Sequence, residues 1–355
     1  MQQNTFLLYG ANGYSGEMIA RYATQYGLQP TLAGRRKEAI EPLAKELQLP
    51  YHITDLADTA TLIALLQQFP LVVNAAGPYD ITARPMIQAC MQTNTHYMDL
   101  NGDLEVFEML HAFHQQALDK NIMLLPGAGF DVVPTDCLAL WLKNRMPDAH
   151  SLTIAFAIVG SSLSRGTSIT TLQKLGLPGA VRKDGVITPE PVGKRGRSVH
   201  FPGLPKPLFT MSIPWGDIST AYYSTGIPNI VTYTGIQKGV WLFLKTQLLF
   251  NWLLRKRFVH KWITSIIQRK PAGPDAQTRQ KAFSVIQAEV TNLKGEQLSA
   301  TLRCAEAYEL TAHTMLLIAQ KIVNGHYKPG YQTPASAYGE DLIMEIRGVS
   351  RNTHL

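Results

Sequence analysis

Three glycines stand in the run Gly10-Ala11-Asn12-Gly13-Tyr14-Ser15-Gly16, directly after the apolar residues Phe6-Leu7-Leu8-Tyr9 and directly before a helical pattern. Between a strand and a helix, that spacing has a chemical use. The first glycine permits a tight turn, the second lets backbone approach a pyrophosphate, and the third lets helix and strand pack closely. The helix N-terminus then offers its orphan amides to the phosphates. A dinucleotide is the expected ligand, although a strand-to-helix turn can need glycine for geometry alone. NAD sites place an acid about 20 residues further on, against the ribose 2′-hydroxyl. Here Ala33-Gly34 runs instead into Arg35-Arg36. Two guanidiniums match a 2′-phosphate through charge-assisted, bidentate bonds, so NADP(H) is expected over NAD(H). As ordinary helix-start residues the same cations would oppose the helix dipole.

Hydride transfer needs an oriented nicotinamide ring, a partner for the proton and exclusion of water. In a doubly wound sheet the ligand groups gather at the carboxyl ends of strands. Asn74 to Tyr79, Asp99 to Asp103 and Pro126 to Asp131 all fall there. Ala75, Ala76 and Gly77 are small enough for backbone to touch the nicotinamide ribose, and Tyr79 can wall the ring or donate a proton. Asp99, Asp131 and Tyr79 are the catalytic candidates, each open to tuning by burial. Plainer uses exist: Asp131 can cap the helix after Pro134, and Asp99 can be a turn residue. Other chemistries lack their residues. No tyrosine has lysine four positions on, and Gly-x-Ser-x-Gly does not occur. Glu108, His111 and His114 share a helical spacing of three but sit among polar residues, so a solvated face is expected there and no metal.

The elements that must position these residues alternate. Strands are expected at Phe6–Tyr9, Thr31–Ala33, Tyr51–Ile53, Leu71–Asn74, Tyr97–Asp99 and Ile122–Leu125, with helices from Gly16, near Lys37 to Leu47 and near Thr59 to Gln68. Strand, helix, strand at this spacing requires right-handed crossovers, hence a parallel, doubly wound, Rossmann-like α/β sheet. A helix from about Asp136 to Arg145 leads to a second α/β (α+β) domain, beginning with Thr153–Val159 and continuing through a Gly- and Pro-rich stretch, Gly176 to Pro207, expected to form hairpins and loops. The expected division is a cofactor domain at 1–135, a substrate and dimerisation domain at 136–333, and a segment 334–355 returning to the first.

With 355 residues, 45% hydrophobic and 17% charged, the polypeptide is able to bury large cores without disulfides or metals, and disorder is excluded. Three widely spaced cysteines predict a reducing, cytoplasmic compartment. The Phe6–Tyr9 run is too short for a signal peptide, and no stretch is long and apolar enough to span a bilayer. The excess of seven positive charges favours anionic partners, but no nucleic-acid-binding motif accompanies it, and none is expected.

Taken together, Gly10 to Gly16, Gly34-Arg35-Arg36, Asn74-Ala75-Ala76-Gly77-Pro78-Tyr79, His96 to Asp103 and Gly129-Phe130-Asp131 through Pro134-Thr135-Asp136 resemble the saccharopine dehydrogenase-like oxidoreductase family, which includes saccharopine reductases and trans-acting enoyl reductases. The resemblance continues, less specifically, through Arg165-Gly166-Thr167, Trp215 to Thr220 and Gly330 to Ala335. It implies a Rossmann domain holding NADP(H), a second domain closing over the substrate, and Asp55 contacting the adenine edge. Asn101-Gly102-Asp103 and Ala83-Arg84 depart from the family pattern near the expected substrate mouth.

On the substrate side, Arg165 and Thr167, within a hydroxyl-rich run from Ser161 to Ser168, could hold a carboxylate or phosphate, or form an ordinary polar loop. Tyr222 and Tyr223 begin an aromatic and hydroxyl-rich stretch to Asn229, suited to a pocket wall or to paired strands at a dimer interface. Val240 to Ile267 is amphipathic and aromatic with flanking bases. It reads as a core or homodimer helix, or as a peripheral membrane contact. The activity expected is hydride transfer to or from the C=C, C=N or C=O bond of a small-molecule or lipid-like acyl substrate, with an elongated apolar tunnel running toward 240–267. The alternatives are a non-catalytic NADP(H) sensor and a membrane-docked scaffold retaining the fold.

Overall fold

The computed structural model describes residues 4–174, 177–245 and 257–354. The polypeptide forms two compact units, Met1–Val133 with Tyr308–Ile346, and Pro134–Ala307 with Arg347–Leu355.

The first unit begins β1 (Leu7–Tyr9), α1 (Tyr14–Tyr22), β2 (Thr31–Gly34), α2 (Lys37–Leu47), β3 (Tyr51–Ile53), α3 (Thr59–Leu66), β4 (Leu71–Asn74), α4 (Tyr79–Thr93), β5 (His96–Asp99), α5 (Leu104–His111), α6 (His114–Asp119) and β6 (Met123–Leu125). β1, β2 and β4 are buried along their whole length. A parallel sheet covered by helices on both faces requires this, and it explains why these strands read as unbroken apolar runs. β1 lies between β2 and β4, with Leu7 opposite Thr31 on one side and Val72 on the other. The backbone runs outward from β1 to β3 and then crosses back to β4, so the order reverses beside β1. That reversal opens the crevice in which such sheets bind ligands.

The second unit holds α7 (Val133–Arg145), β7 (Ala149–Val159), α8 (Arg165–Gln173), β8 (Gly179–Lys183), β9 (Val186–Glu190), β10 (Gly196–Val199), β11 (Leu208–Ile213), α9 (Asp217–Thr225), β12 (Asn229–Gly235), α10 (Lys238–Lys245), α11 (Arg257–Gln268), α12 (Ala276–Lys281), β13 (Phe283–Asn292) and β14 (Gln297–Ala305). Beyond these come α13 (Ala307–Val323), β15 (Gly330–Tyr331), α14 (Pro334–Tyr338) and β16 (Ser350–His354). The second sheet runs β10-β11-β12-β7-β13-β14-β16, with β8 and β9 attached beside β12. It is mixed: β12 pairs β7 in parallel, while β7 with β13 and β13 with β14 are antiparallel. The expected hairpin in the Gly- and Pro-rich stretch is β8–β9. Its two-residue turn has Asp184 and Gly185 at φ +49° and +79°, the signs a primed turn demands.

Three expectations need correction. The return to the first unit begins at Tyr308 rather than 334. α13 buries Leu310, Met315, Leu316, Ile318 and Ile322 and closes the end of β6: Thr311 accepts from the Phe130 N–H at 3.0 Å, and the Thr314 hydroxyl donates to Ala128 O at 2.8 Å. β15 then adds a seventh parallel strand beside β6, giving the order β15-β6-β5-β4-β1-β2-β3. The segment 334–355 is split, because β16 leaves to pair with β14 of the second unit, placing Ser350 opposite Arg303. Tyr222 and Tyr223 lie on helix α9 rather than on a strand; Gly226, at φ +69°, closes that helix, and β12 starts only at Asn229.

Of the amphipathic stretch 240–267, residues 246–256, with Leu248 and Trp252, lie outside the described residues. Trp241 of α10 is fastened to its own unit. Its indole N–H donates to Gly193 O at 2.7 Å, its ring packs on Phe209, and the Lys245 ammonium lies 4.2 Å above it. Val240 and Leu242 are exposed. Among the described residues no helix is long and apolar enough to cross a membrane.

Candidate active site

The glycine loop joins β1 to α1 with each glycine in a different role. Gly10 has φ +84°, and a Cβ there would come within 2.7 Å of Ala76 N and 2.8 Å of the Ala75 carbonyl carbon. Its amide donates to Ala33 O at 2.8 Å, so this one residue joins the ends of β1, β2 and β4. A Cβ on Gly16 would run into the Gly10 carbonyl. Gly13, the N-cap of α1, has an ordinary extended backbone (φ −78°). The nearest atoms to a Cβ there are Gly10 O at 3.3 Å and Ala75 O at 3.8 Å. Glycine at position 13 therefore leaves space rather than relieving strain, as a cradle for an approaching ligand would need. The first α-helical bond runs from Glu17 N–H to Gly13 O at 2.8 Å. The amides of Tyr14, Ser15 and Gly16 precede that bond, at the positive end of the helix. Ala11 is buried, and the Asn12 side chain points toward Gly34 at the end of β2.

Arg35 and Arg36 follow β2 and are exposed, and neither guanidinium has a hydrogen-bond or ion-pair partner among the described residues. Arg36 is the N-cap of α2 without making a side-chain cap bond. Two unneutralised cations at a helix start are a destabilising arrangement that a bound phosphate would relieve. Asp55, just past β3, is exposed, and its carboxylate accepts from the Ala57 N–H at 2.9 Å. Beside it the Tyr9 hydroxyl donates to Thr54 O. The Tyr9 pKa rises to about 12 through burial and the charge of Asp55, with Arg35 acting in the opposite direction.

Ala75 and Ala76 are half-buried and Gly77 is exposed at the end of β4. Asn74, fully buried, shapes this loop: its amide oxygen accepts from Ala76 N–H at 3.2 Å, and its Nδ2 reaches Thr82 Oγ1 and the Tyr97 hydroxyl, each at 3.4 Å. Thr82 returns a bond to Ala76 O at 2.6 Å. Asp99 is fully buried and fully engaged. Tyr97 OH donates to Oδ2 at 2.7 Å, and the Asn101 and Gly127 amides donate to Oδ1 at 3.0 and 2.9 Å. Burial lifts its pKa to about 6 against the pull of these donors.

The Tyr79 hydroxyl donates to Asn74 O at 3.3 Å. Burial, and then the charges of Asp99 and Asp131, hold its pKa well above the usual phenol value. Asp131 packs against Gly102, where a Cβ would collide with its carboxylate, and desolvation raises its pKa to about 7. The three catalytic candidates thus meet electrostatically at the strand ends of β4, β5 and β6. Burial lifts both carboxyls toward neutrality, Asp99 to about 6 within its bonds to Tyr97, Asn101 and Gly127, and Asp131 to about 7. Sequence reasoning named Asn74 and Tyr97 within motifs without giving either a role and did not name Thr82, because their roles depend on contacts between neighbouring strand ends.

The remaining candidates have local duties. Ser164 caps α8 by accepting from Thr167 N–H at 3.2 Å and meets the Thr167 hydroxyl at 3.0 Å, while Arg165 reaches Gln268 O at 3.5 Å. Tyr222 carries the Arg182 guanidinium 4.0 Å from its ring and meets Tyr223 edge-on. His114 Nδ1 accepts from Tyr331 N–H at 3.1 Å, fixing β15 against α6.

A parallel sheet with a glycine loop at its switch point and cations after β2 defines a Rossmann-type NADP-binding domain. Residues 6–125 match the model of the saccharopine dehydrogenase NADP binding domain, and the first unit is of that kind. The protein is 26% identical over 202 residues to the mouse (Mus musculus) saccharopine dehydrogenase-like oxidoreductase, covering 50% of this sequence and 47% of that protein. It is 30% identical over 147 residues to a trans-acting enoyl reductase of Mycobacterium bovis, covering 39% and 35%. The match spans about half the length, or less, of these curated relatives. The apo saccharopine dehydrogenase (L-Glu forming) of Saccharomyces cerevisiae shares the fold over 99% of this protein and 100% of that one, at a TM-score of 0.71 and 14% identity. The family resemblance carried by the sequence motifs stands, as does the NADP(H) assignment.

Proposed function

We propose that this protein is an NADP(H)-dependent oxidoreductase that moves a hydride to or from a C=C, C=N or C=O bond of a small or lipid-like substrate. One observation carries the reading: Tyr79 and Asp131, both with strongly raised pKa, meet at the same sheet edge that holds the glycine loop. The bound cofactor would supply hydride chemistry at its nicotinamide C4. Gly10 to Gly16 and the first amides of α1 would hold the pyrophosphate, Arg35 and Arg36 the 2′-phosphate, Asp55 the adenine edge, and Ala75 to Gly77 the nicotinamide ribose. Tyr79 keeps its proton across the neutral range, so its hydroxyl would offer a hydrogen bond to the substrate while its raised pKa leaves proton transfer to a better-matched group. Asp131, at about 7, exchanges a proton near working pH. Asp99 positions the strand-end loops and the Tyr97 hydroxyl rather than reacting.

The test is NADPH oxidation against a panel of enoyl thioesters, imines and ketones. Turnover with an inflection near pH 7 that disappears in Asp131→Asn is expected. Tight NADPH binding with no turnover across the panel would favour a sensor, and no binding at all would refute the reading. A cytoplasmic setting belongs to the same reading and is supported by the free, buried thiols of Cys90, Cys137 and Cys304. Recovery of the protein with membranes on cell fractionation would count against it.

A further inference from the structure

The second unit contains a cavity of about 520 Å³ that none of the assignments above uses. Its floor is the paired stretch of β7 and β12 where Ser151 faces Asn229 and Thr153 faces Val231. Its wall is the β8–β9 hairpin and the turn after it. Side chains two apart on one strand share a face, so Ser151 and Thr153 present their hydroxyls side by side. Neither hydroxyl has a hydrogen-bond partner among the described residues.

Three cationic side chains, Lys183, Lys194 and Arg195, face this cavity against a single lining carboxylate, Glu190, while Arg182 lines it from the strand with its side chain turned to α9 on the other face. Glu190 is 8% exposed and is already committed: it takes Arg195 through two bonds of 2.9 and 3.0 Å and Lys194 at 3.3 Å. It therefore fixes two cations in place while neutralising only one charge. The Arg195 guanidinium is held in a bidentate clamp yet stays 47% exposed, which leaves a rigid cationic face toward the cavity side. Arg182, 5% exposed, is anchored through its Nε to Ile218 O and its Nη1 to Gly185 O, each at 2.6 Å. Lys183 is exposed and has no partner among the described residues. Asp184, at the hairpin tip, and Glu289, opposite Thr153 on β13, are the neighbouring acids.

Preorganised cations over a hydroxyl floor, in a volume suited to a metabolite rather than a polymer, are the chemistry of an anion site. We propose that the second unit binds a small metabolite through a dianionic group, a phosphate ester or a dicarboxylate, between Lys183, Lys194 and Arg195, with Ser151 and Thr153 donating from the floor.

The test titrates inorganic phosphate and, separately, malonate into the full-length protein by calorimetry. NADP⁺ is held at saturation so that Arg35 and Arg36 are covered, and chloride keeps the ionic strength constant. Saturable binding of at least one dianion is expected. It should weaken about tenfold in Lys183→Gln/Lys194→Gln and more modestly in Thr153→Val, with NADP⁺ affinity unchanged. Saturation by phosphate alone assigns a phosphate ester, and saturation by malonate alone assigns a dicarboxylate. Repeating the titration in Arg35→Ala/Arg36→Ala without NADP⁺ keeps the result independent of the cofactor reading. Heats no larger than those of chloride, or unaltered binding in the lysine variants, would overturn the proposal. So would capture of an oligonucleotide by these lysines where both small dianions fail.

Discussion

Substituting Gly10 and Gly13 in turn should separate what the fold needs from what the cofactor needs. In Gly10→Ala the new Cβ meets backbone at 2.7 and 2.8 Å and is held at φ +84°. The left-handed conformation alone costs roughly 1–2 kcal/mol, and the clash is with main-chain atoms that no rotamer change can move. A total near 3 kcal/mol corresponds to a fall in Tm of about 6–12 °C for a unit of this size. Gly13→Val starts from φ −78° and ψ 160°, which valine adopts readily, and its Cβ meets nothing closer than 3.3 Å. Its cost to folding should stay near 1 kcal/mol, about 2–4 °C. Its methyl groups, however, fill the concavity beside the first amides of α1, so NADPH affinity should fall by at least about a hundredfold. Thermal melts followed by circular dichroism, paired with calorimetric NADPH titration, read both quantities. A Gly13→Val protein that binds NADPH like the parent would refute the cradle, and a Gly10→Ala protein as stable as the parent would refute the strain argument.

Arg35→Ala/Arg36→Ala should reduce the preference for NADPH over NADH about tenfold, since only the former carries the extra phosphate; equal losses for both cofactors remove the selectivity argument. Asp131 holds its proton to about pH 7 when folded and loses it near pH 4 when unfolded. The native state therefore binds more protons between these values, and stability must fall as pH rises through that window. Asp131→Asn should gain relative to the parent between pH 5 and 8, and a constant difference in Tm would contradict the raised pKa. Asp99→Ala strands three buried donors at about 1–3 kcal/mol each and should unfold the first unit or lower its Tm steeply. Asp99→Asn, which keeps an acceptor in place, should retain most of the stability and NADPH affinity, and parity of the two variants would argue against the buried hub.

The parts of the fold legible in sequence were those whose signal is local. β4 was readable at Leu71–Asn74 because a strand buried on both faces must be an apolar run, and α2 at Lys37–Leu47 because its buried positions recur with helical spacing. β15 is two residues long and owes its existence to β6, so no periodicity could announce it. The stretch beginning Tyr222-Tyr223 was open to a pocket wall or to paired strands, and tertiary packing with the terminating Gly226 places the two tyrosines on a helix. At the candidate site the glycine loop was legible because three roles are compressed into seven residues. The Asn74–Tyr97–Asp99 network was not, since Asp99 finds the Gly127 amide 28 residues away and only the sheet register brings them together.

The interleaving of the two units also sets an order of events during synthesis. The backbone passes from one unit to the other after Val133, after Ala307 and again after Ile346. When the β6 strand end is synthesised, the threonines that cap it on α13 are still about 180 residues from being made, which at 5–20 residues per second is a delay of roughly ten to forty seconds. Through that interval the Phe130 amide and the Ala128 carbonyl must be served by water or by another protein. The second unit waits longer still, because β16, its edge strand, follows α13, β15 and α14 in the sequence. The first unit has all its residues by Ile346, only shortly before β16 completes the sheet of the second. A nascent polypeptide stalled near residue 300 should expose the open β6 edge as a substrate for chaperones, and one stalled far enough on for residue 354 to have emerged should be able to close both sheets.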